Sequence, residues 1–430
     1  MNKHLRTILS GACCTLTVMI STLCGSAWAQ DATALFGEYA NRIYQIRIID
    51  RSSGKQAGLG SGFLISADGL MITNYHVVAE YTNDSERYSV EFVRHNGDKG
   101  PLTLVNLDVI NDLALLRLDH APGYFLSFAP ALPVHGEAIY SIGNPHDLGW
   151  TVIPGTYNGI AAYSVYERIH FSGSVNPGMS GGPVLNAAGA VIGVNVATAG
   201  NQLSFLVPLN RVTAFVARSR STTIALASVD ALVAAQLRAN QRLHVTKLID
   251  SQWGEADFGD AVVPGEIAAH IRCWGFSDDD QEILYAHSAT SCNSEEQIYL
   301  SSEFNTGNVA YQFNWLESNE LNTLQFYNMY NEKIANAYPD NDAGKADVTN
   351  FVCHDEFIRS TSIGGAPVIT KTAFCVREYR KYRGLYDVLF FGASVHKNRR
   401  ALISHFTMAG VEQRLATAFT RKFIDNVRWK

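Results

Sequence analysis

Val175-Asn-Pro-Gly-Met-Ser-Gly-Gly-Pro-Val184 is the stretch on which the reading of this 430-residue chain turns. Ser180 lies between Gly178 and the pair Gly181-Gly182. Glycines permit a tight loop with partly positive φ, in which backbone N–H groups converge on one point. The amides of Gly178 and of Ser180 itself are the expected donors there. A serine so placed is a candidate nucleophile, and it needs a base, a group to orient that base, and donors for an oxyanion. A glycine-rich hairpin that merely holds a serine is the plain alternative, so the partners decide.

Asn74-Tyr-His-Val-Val78 supplies the base. Strands expected at Ser61–Ser66 and Leu70–Asn74 deliver His76 at a strand end, where a loop exposes the imidazole. Asp112 opens the apolar run Asp112-Leu-Ala-Leu-Leu116 and is drawn towards the interior. A partly buried carboxylate needs partners, and the imidazole N–H is one. A strand-start turn residue is the alternative for Asp112. Asp108 and Asp119 compete from nearby, each less well placed at the head of the run.

Taken in order, Thr73-Asn-Tyr-His-Val-Val78, Asp112-Leu-Ala-Leu-Leu116 and Pro177-Gly-Met-Ser-Gly-Gly-Pro183 resemble the trypsin-like (chymotrypsin-fold) serine proteases. The likeness is to their HtrA-type and related bacterial branches, and it covers about residues 36 to 215. It implies two six-stranded β-barrels with the site in the cleft between them. His76 and Asp112 would come from the first barrel and Ser180 from the second. It also implies the roles: His76 takes the Ser180 proton and returns it to the leaving amine, while Asp112 fixes the tautomer. Protein or peptide substrates follow, and no cofactor or metal.

The chain departs from that family in three places. Met179 stands where digestive members carry an Asp that pairs with a freshly cut N-terminus, so that switch is absent. Ser174, at the base of the family's primary specificity pocket, is not acidic. With Asn195, Val196 and Ala197 alongside, the expectation is an apolar pocket for small or medium aliphatic side chains. After Val212 there is no PDZ-like glycine-rich carboxylate-binding loop, so the likeness stops at the protease.

Around this core the chain divides. Lys3 and Arg6, the apolar stretch Ile8 to Cys24, and Ala27-Trp-Ala29 form a secretory signal with cleavage expected after Ala29. Residues 30–220 read as the all-β protease domain, residues 221–252 as a helical linker, and residues 253–430 as an α+β domain of unknown fold. The linker helix is expected over Ser228–Ile249 and a last amphipathic helix over Val411–Trp429. Cys13, Cys14 and Cys24 leave with the signal. Cys273, Cys292, Cys353 and Cys375 then form two disulfides in an exported chain, periplasmic or secreted. Local pairing, Cys273 with Cys292 and Cys353 with Cys375, would stabilise by about 3 kcal/mol per bridge. The other two pairings stay open.

A hydrophobic content of 47% with 17% charged residues is that of a globular chain. The net charge of −6 offers no basic field, so nucleic acid is not an expected partner. The basic and aromatic run Arg377–Arg383 therefore reads as a solvated strand face. Asp278-Asp-Asp280 lacks the spacing of a calcium loop. The mature chain is not expected to insert stably in a membrane. The rival to an exported endopeptidase is a catalytically silent binding or adhesion protein on a protease scaffold, and a third reading is an esterase on the same three residues.

Overall fold

The structure, a computed structural model, describes residues 32–120, 122–278, 284–335, 341–362, 367–395 and 397–430. The expected signal sequence and Asp279-Asp280 lie outside the described residues. After α1 (Ala32–Tyr39) the first sheet contains β1 (Ile43–Asp50), β2 (Lys55–Leu64), β3 (Leu70–Thr73), β4 (Tyr88–Val93), β5 (Lys99–Pro101), β6 (Thr103–Asp108) and β7 (Leu113–Arg117), with α2 (Tyr75–Asn83) between β3 and β4. Its order is β5-β4-β1-β2-β3-β7-β6. This is a seven-stranded open sheet, not the closed six-stranded barrel expected. Pro101 pairs opposite Glu91 at the end of β5, and Leu102, whose N–H donates to Val90 O, joins β5 to β6.

The second unit meets the expectation. β8 (Ala138–Gly143), β9 (Thr151–Ile160), β10 (Ile169–Phe171), β11 (Pro183–Asn186), β12 (Val191–Thr198) and β13 (Ser204–Pro208) close into a six-stranded barrel. α3 (Leu209–Ser219) follows. Ile43, Phe63 and Ile72 of the first sheet pack with Ile142, Val194 and Val207 of the barrel, and α3 adds Val212 and Phe215. The two units thus share one apolar seam.

α4 (Val229–Asp250) forms where the helix-favouring composition predicts, but it is packed rather than free. Val229, Val233 and Leu237 join the core around Ile46, Val78 and Leu116, while Val245 and Leu248 join the core of the C-terminal half. That half contains β14 (Glu255–Phe258), β15 (Ala261–Pro264), β16 (Ile271–Asp278), β17 (Ala286–Ser294), the hairpin β18 (Ile298–Ser301) and β19 (Phe304–Thr306), β20 (Val309–Glu317), α5 (Thr323–Ala335), β21 (Val352–Ser362), β22 (Val368–Glu378), β23 (Tyr386–Ser394), β24 (Arg400–Val411), α6 (Gln413–Asp425) and β25 (Arg428–Trp429). Ten of these strands form one sheet, against which α6 packs Phe419 and Phe423 among Phe313, Phe390 and Phe406. The last helix is shorter than its pattern suggests, because Arg428 and Trp429 pair as a strand with β15.

Cys273 is bonded to Cys292 and Cys353 to Cys375. Each pair sits directly opposite across an antiparallel ladder, β16 with β17 and β21 with β22, which selects the local pairing. Among the described residues no helix is long and apolar enough to cross a membrane.

Candidate active site

β3 and β7 are antiparallel, with Thr73 opposite Ala114. The residues just past the end of β3 therefore lie beside those just before β7, and positions distant in sequence meet. His76 stands in the first turn of α2, not on the strand-end loop the sequence suggests. Asn74 takes the extended conformation before the helix, and its Nδ2 donates to the Asp112 carbonyl at 2.7 Å instead of its side chain capping α2.

Asp112 holds His76 at two points. Its Oδ1 accepts the His76 backbone N–H at 2.9 Å and its Oδ2 accepts from Nδ1 at 2.6 Å. The φ of +58° at Asp112 is the left-handed conformation that Asp tolerates better than most residues. With Nδ1 carrying the shared proton, the neutral ring leaves Nε2 as the base. Burial by itself lowers the imidazole pKa, but the charge and hydrogen bond of Asp112 outweigh it and hold the value above the ordinary 6.5. Asp108, a competitor in sequence, is committed elsewhere. It caps the turn at Ile110 and Asn111 and pairs with Arg218.

Ser180 lies on the loop between β10 and β11. Gly178 (φ +96°) and Gly181 (φ +82°) take the left-handed conformation there. Close approach demands glycine as well: a Cβ on Gly181 would stand 2.3 Å from Ser61 O and from Thr73 Oγ1, and 2.9 Å from Asn74 N. That proximity brings the loop to the corner where α2 begins, two residues before His76. Among the described residues the His76 ring is hydrogen-bonded to Asp112 and not to Ser180 Oγ.

The loop's amides divide into two sets. The N–H groups of Met179, Gly181 and Gly182 donate to Asn176 O, Asn195 O and Met179 O. Those of Gly178 and Ser180 have no acceptor among the described residues. These are the two expected from sequence to face an oxyanion. Pro177 O is held by the His146 N–H at 2.9 Å, and Gly178 O by Ser61 Oγ at 2.7 Å, so the loop is braced from the barrel and from the first sheet.

Met179 is fully buried among Tyr157, Phe171 and Val175 in the barrel core, where its thioether anchors the loop by packing. Of the four residues expected around a specificity pocket, Ser174 and Ala197 are exposed. The other two are placed differently. Asn195 is buried, its Nδ2 donating to Ser141 Oγ and Met179 O, and Val196 packs into the seam between the units. Asn195 is a brace of the loop that carries Ser180, since a buried amide is held where hydrogen-bond partners exist.

Residues 60–194 match the family model described as a trypsin-like peptidase domain. This part of the chain is a trypsin-like peptidase domain. It is similar to a probable periplasmic serine endoprotease DegP-like of Chlamydia pneumoniae, 34% identical over 168 residues, which are 37% of this chain and 33% of that protein. Protease Do-like 5, chloroplastic, of Arabidopsis thaliana is 34% identical over 35% of this chain and 51% of its own length. A serine endoprotease from Yersinia pestis, known from its crystal structure, is 26% identical with a TM-score of 0.39, over 44% of this chain and 66% of that one. The chain thus spans about a third to a half of the length of the curated relatives it matches.

Two residues beyond the motifs stand next to this constellation. Ser61 was read only as a strand residue, although Gly60 and Gly62 on either side mark a place of close backbone approach. Tyr299 lies in the C-terminal half, far outside the peptidase motifs, and its ring meets that of His76 edge to face at 5.9 Å.

Proposed function

We propose that this chain is an exported serine endopeptidase that hydrolyses peptide bonds through an acyl-enzyme formed on Ser180. In this reading Ser180 Oγ attacks the scissile carbonyl carbon as His76 Nε2 takes its proton. The tetrahedral oxyanion lies against the free amides of Gly178 and Ser180. His76 returns the proton to the departing amine as the C–N bond breaks. Water, deprotonated in turn by His76, releases the carboxylic acid and restores Ser180. Asp112 stays ionised throughout and stabilises the imidazolium.

The observation that carries this reading is the two-point grip of Asp112 on His76 beside a loop with two uncommitted amides. The relatives' names, serine endoproteases, point the same way. The exposed, uncharged Ser174 and Ala197 support a preference for small or medium aliphatic side chains in the primary pocket. With Met179 packed in the core, no N-terminal ion pair is required, so activity is expected without an internal cut. Export to the periplasm or the outside rests on the leader-like first 29 residues and the two disulfides.

A fluorophosphonate probe tests the reading. Labelling of the full chain at Ser180, lost in Ser180→Ala together with casein hydrolysis, is the expected result. A chain that takes no label and cleaves no peptide is a silent scaffold.

A further inference from the structure

α2, the helix that carries His76, is covered by the hairpin β18–β19 of the C-terminal half. Both ends of the helix are tied to one carbonyl: Tyr75 Oη donates to Leu300 O at 3.3 Å and Asn83 Nδ2 at 3.1 Å. Ile298 and Leu300 are buried in the shared core, and Tyr299 between them is half-buried at its edge, where its ring meets that of His76 edge to face at 5.9 Å. Just before the hairpin, Glu296 reaches the other side of the cleft. It accepts from Ser164 Oγ and the Val165 N–H, each at 2.5 Å, and from the Tyr166 N–H at 3.2 Å, all on the connection from β9 to β10. One segment is thus fastened to α2 and to the connection from β9 to β10.

Where Tyr299 stands decides which part of a substrate it meets. His76 Nε2 must face Ser180 and the departing amine, while Nδ1 is held by Asp112. Tyr299 lies near that carboxylate. Burial, then the charges of Glu80 and Asp112, push its phenol to about 12. On the endopeptidase reading, the His76 flank covered by Tyr299 borders the chain on the amino side of the scissile bond. The residue preceding the cleaved one is about 3.8 Å along the chain from it, Cα to Cα, and so lies against this flank.

We infer that the hairpin Ile298–Thr306 is a wall of the substrate cleft, and that Tyr299 limits the residue preceding the cleaved one to small side chains. The inference rests on the endopeptidase reading and adds its second specificity element. The C-terminal half then contributes directly to the peptidase site. Substrates are extended chains with Gly, Ala or Ser at that position, and bulky residues there collide with a ring held by the core behind it.

The test uses the full chain with peptides that vary only at that position. The wild type should cleave the Ala peptide about tenfold better in kcat/KM than the Leu or Phe peptides, the scale of discrimination a packed pocket gives. Tyr299→Ala should bring the three within about twofold, mainly through KM, and Tyr299→Phe should keep the wild-type profile. Tyr299→Trp, which enlarges the wall without opening a cavity, should sharpen the preference. Unchanged profiles in the Ala and Trp variants, with normal fluorophosphonate labelling at Ser180, overturn the inference alone. A wild type that neither labels nor cleaves overturns the endopeptidase reading, and this inference with it.

Discussion

The backbone N–H of Ser61 donates to the carbonyl of Ser180 at 2.7 Å. From the same residue Oγ reaches Gly178 O, also at 2.7 Å, so β2 of the first sheet grips the loop of the barrel on both sides of Met179. With its carbonyl so held, the Gly178 peptide keeps its orientation relative to Ser180. Ser61→Ala retains the backbone bond and loses the other, leaving a buried carbonyl unpaired at a cost of about 1–3 kcal/mol. Peptide turnover should fall about tenfold or more, mostly in kcat, with the fold retained by circular dichroism. Full kcat in this variant would show that the Oγ bond does not orient the loop.

Gly181 offers a harsher probe of the same corner. Its φ of +82° and the 2.3 Å approach of Ser61 O leave no room for a methyl group, and that neighbour is backbone. Gly181→Ala must push the loop from β2 and strain a positive φ, each costing on the order of 1–3 kcal/mol. The expected result is loss of fluorophosphonate labelling by at least about a hundredfold, since a 1 Å misplacement alone costs that much. Wild-type labelling would contradict the packing at this position.

His76 sets the pH response. Its folded pKa lies above 6.5 because Asp112 outweighs the opposing effect of burial. The protonated ring cannot accept the Ser180 proton, so kcat/KM should rise as pH climbs through that raised value. Stability runs the other way: the pair's contribution is fully present below the unfolded value near 6.5 and is lost as pH rises through the folded one. Asp112→Asn removes the cause of the upward shift and leaves burial, which lowers it. Its activity limb should move to lower pH, while kcat drops by about 10⁴ as the tautomer is no longer enforced. A pH–rate profile of the two proteins checks both statements.

The peptidase motifs were legible because each is local. Three short runs name the candidate residues, and the register of β3 on β7 brings His76 and Asp112 together by a regular ladder. What did not show was anything set by long-range packing. The helical start at His76 was missed because Val77 and Val78 continue a strand-like run, and only their burial against the first sheet and α4 makes a helix there. Asn195 is buried rather than exposed at a pocket edge, because a strand residue faces either in or out and its sequence neighbours do not determine which. Tyr299 was beyond reach, since nothing local ties a C-terminal tyrosine to a histidine more than two hundred residues away.

The same packing argues that the peptidase domain does not stand alone. Tyr75, Val78, Leu104 and Leu116 share a core with Val233 and Leu237 of α4 and with Leu300, Phe304, Tyr379 and Leu385 of the C-terminal half. Burying one such side chain contributes about 1.5–3 kcal/mol. Removing all of the C-terminal partners takes away more than the 5–15 kcal/mol by which domains are usually stable. A chain ending at Arg220 is therefore expected to lose cooperative thermal unfolding and to expose an apolar face around the helix that bears His76. Within the full chain, Leu300→Ala should cost about 2–5 kcal/mol. It should lower Tm and weaken labelling at Ser180 together, because the hairpin it anchors also holds both ends of that helix. A soluble, cooperatively folding 30–220 fragment with full activity would show that the shared core is dispensable.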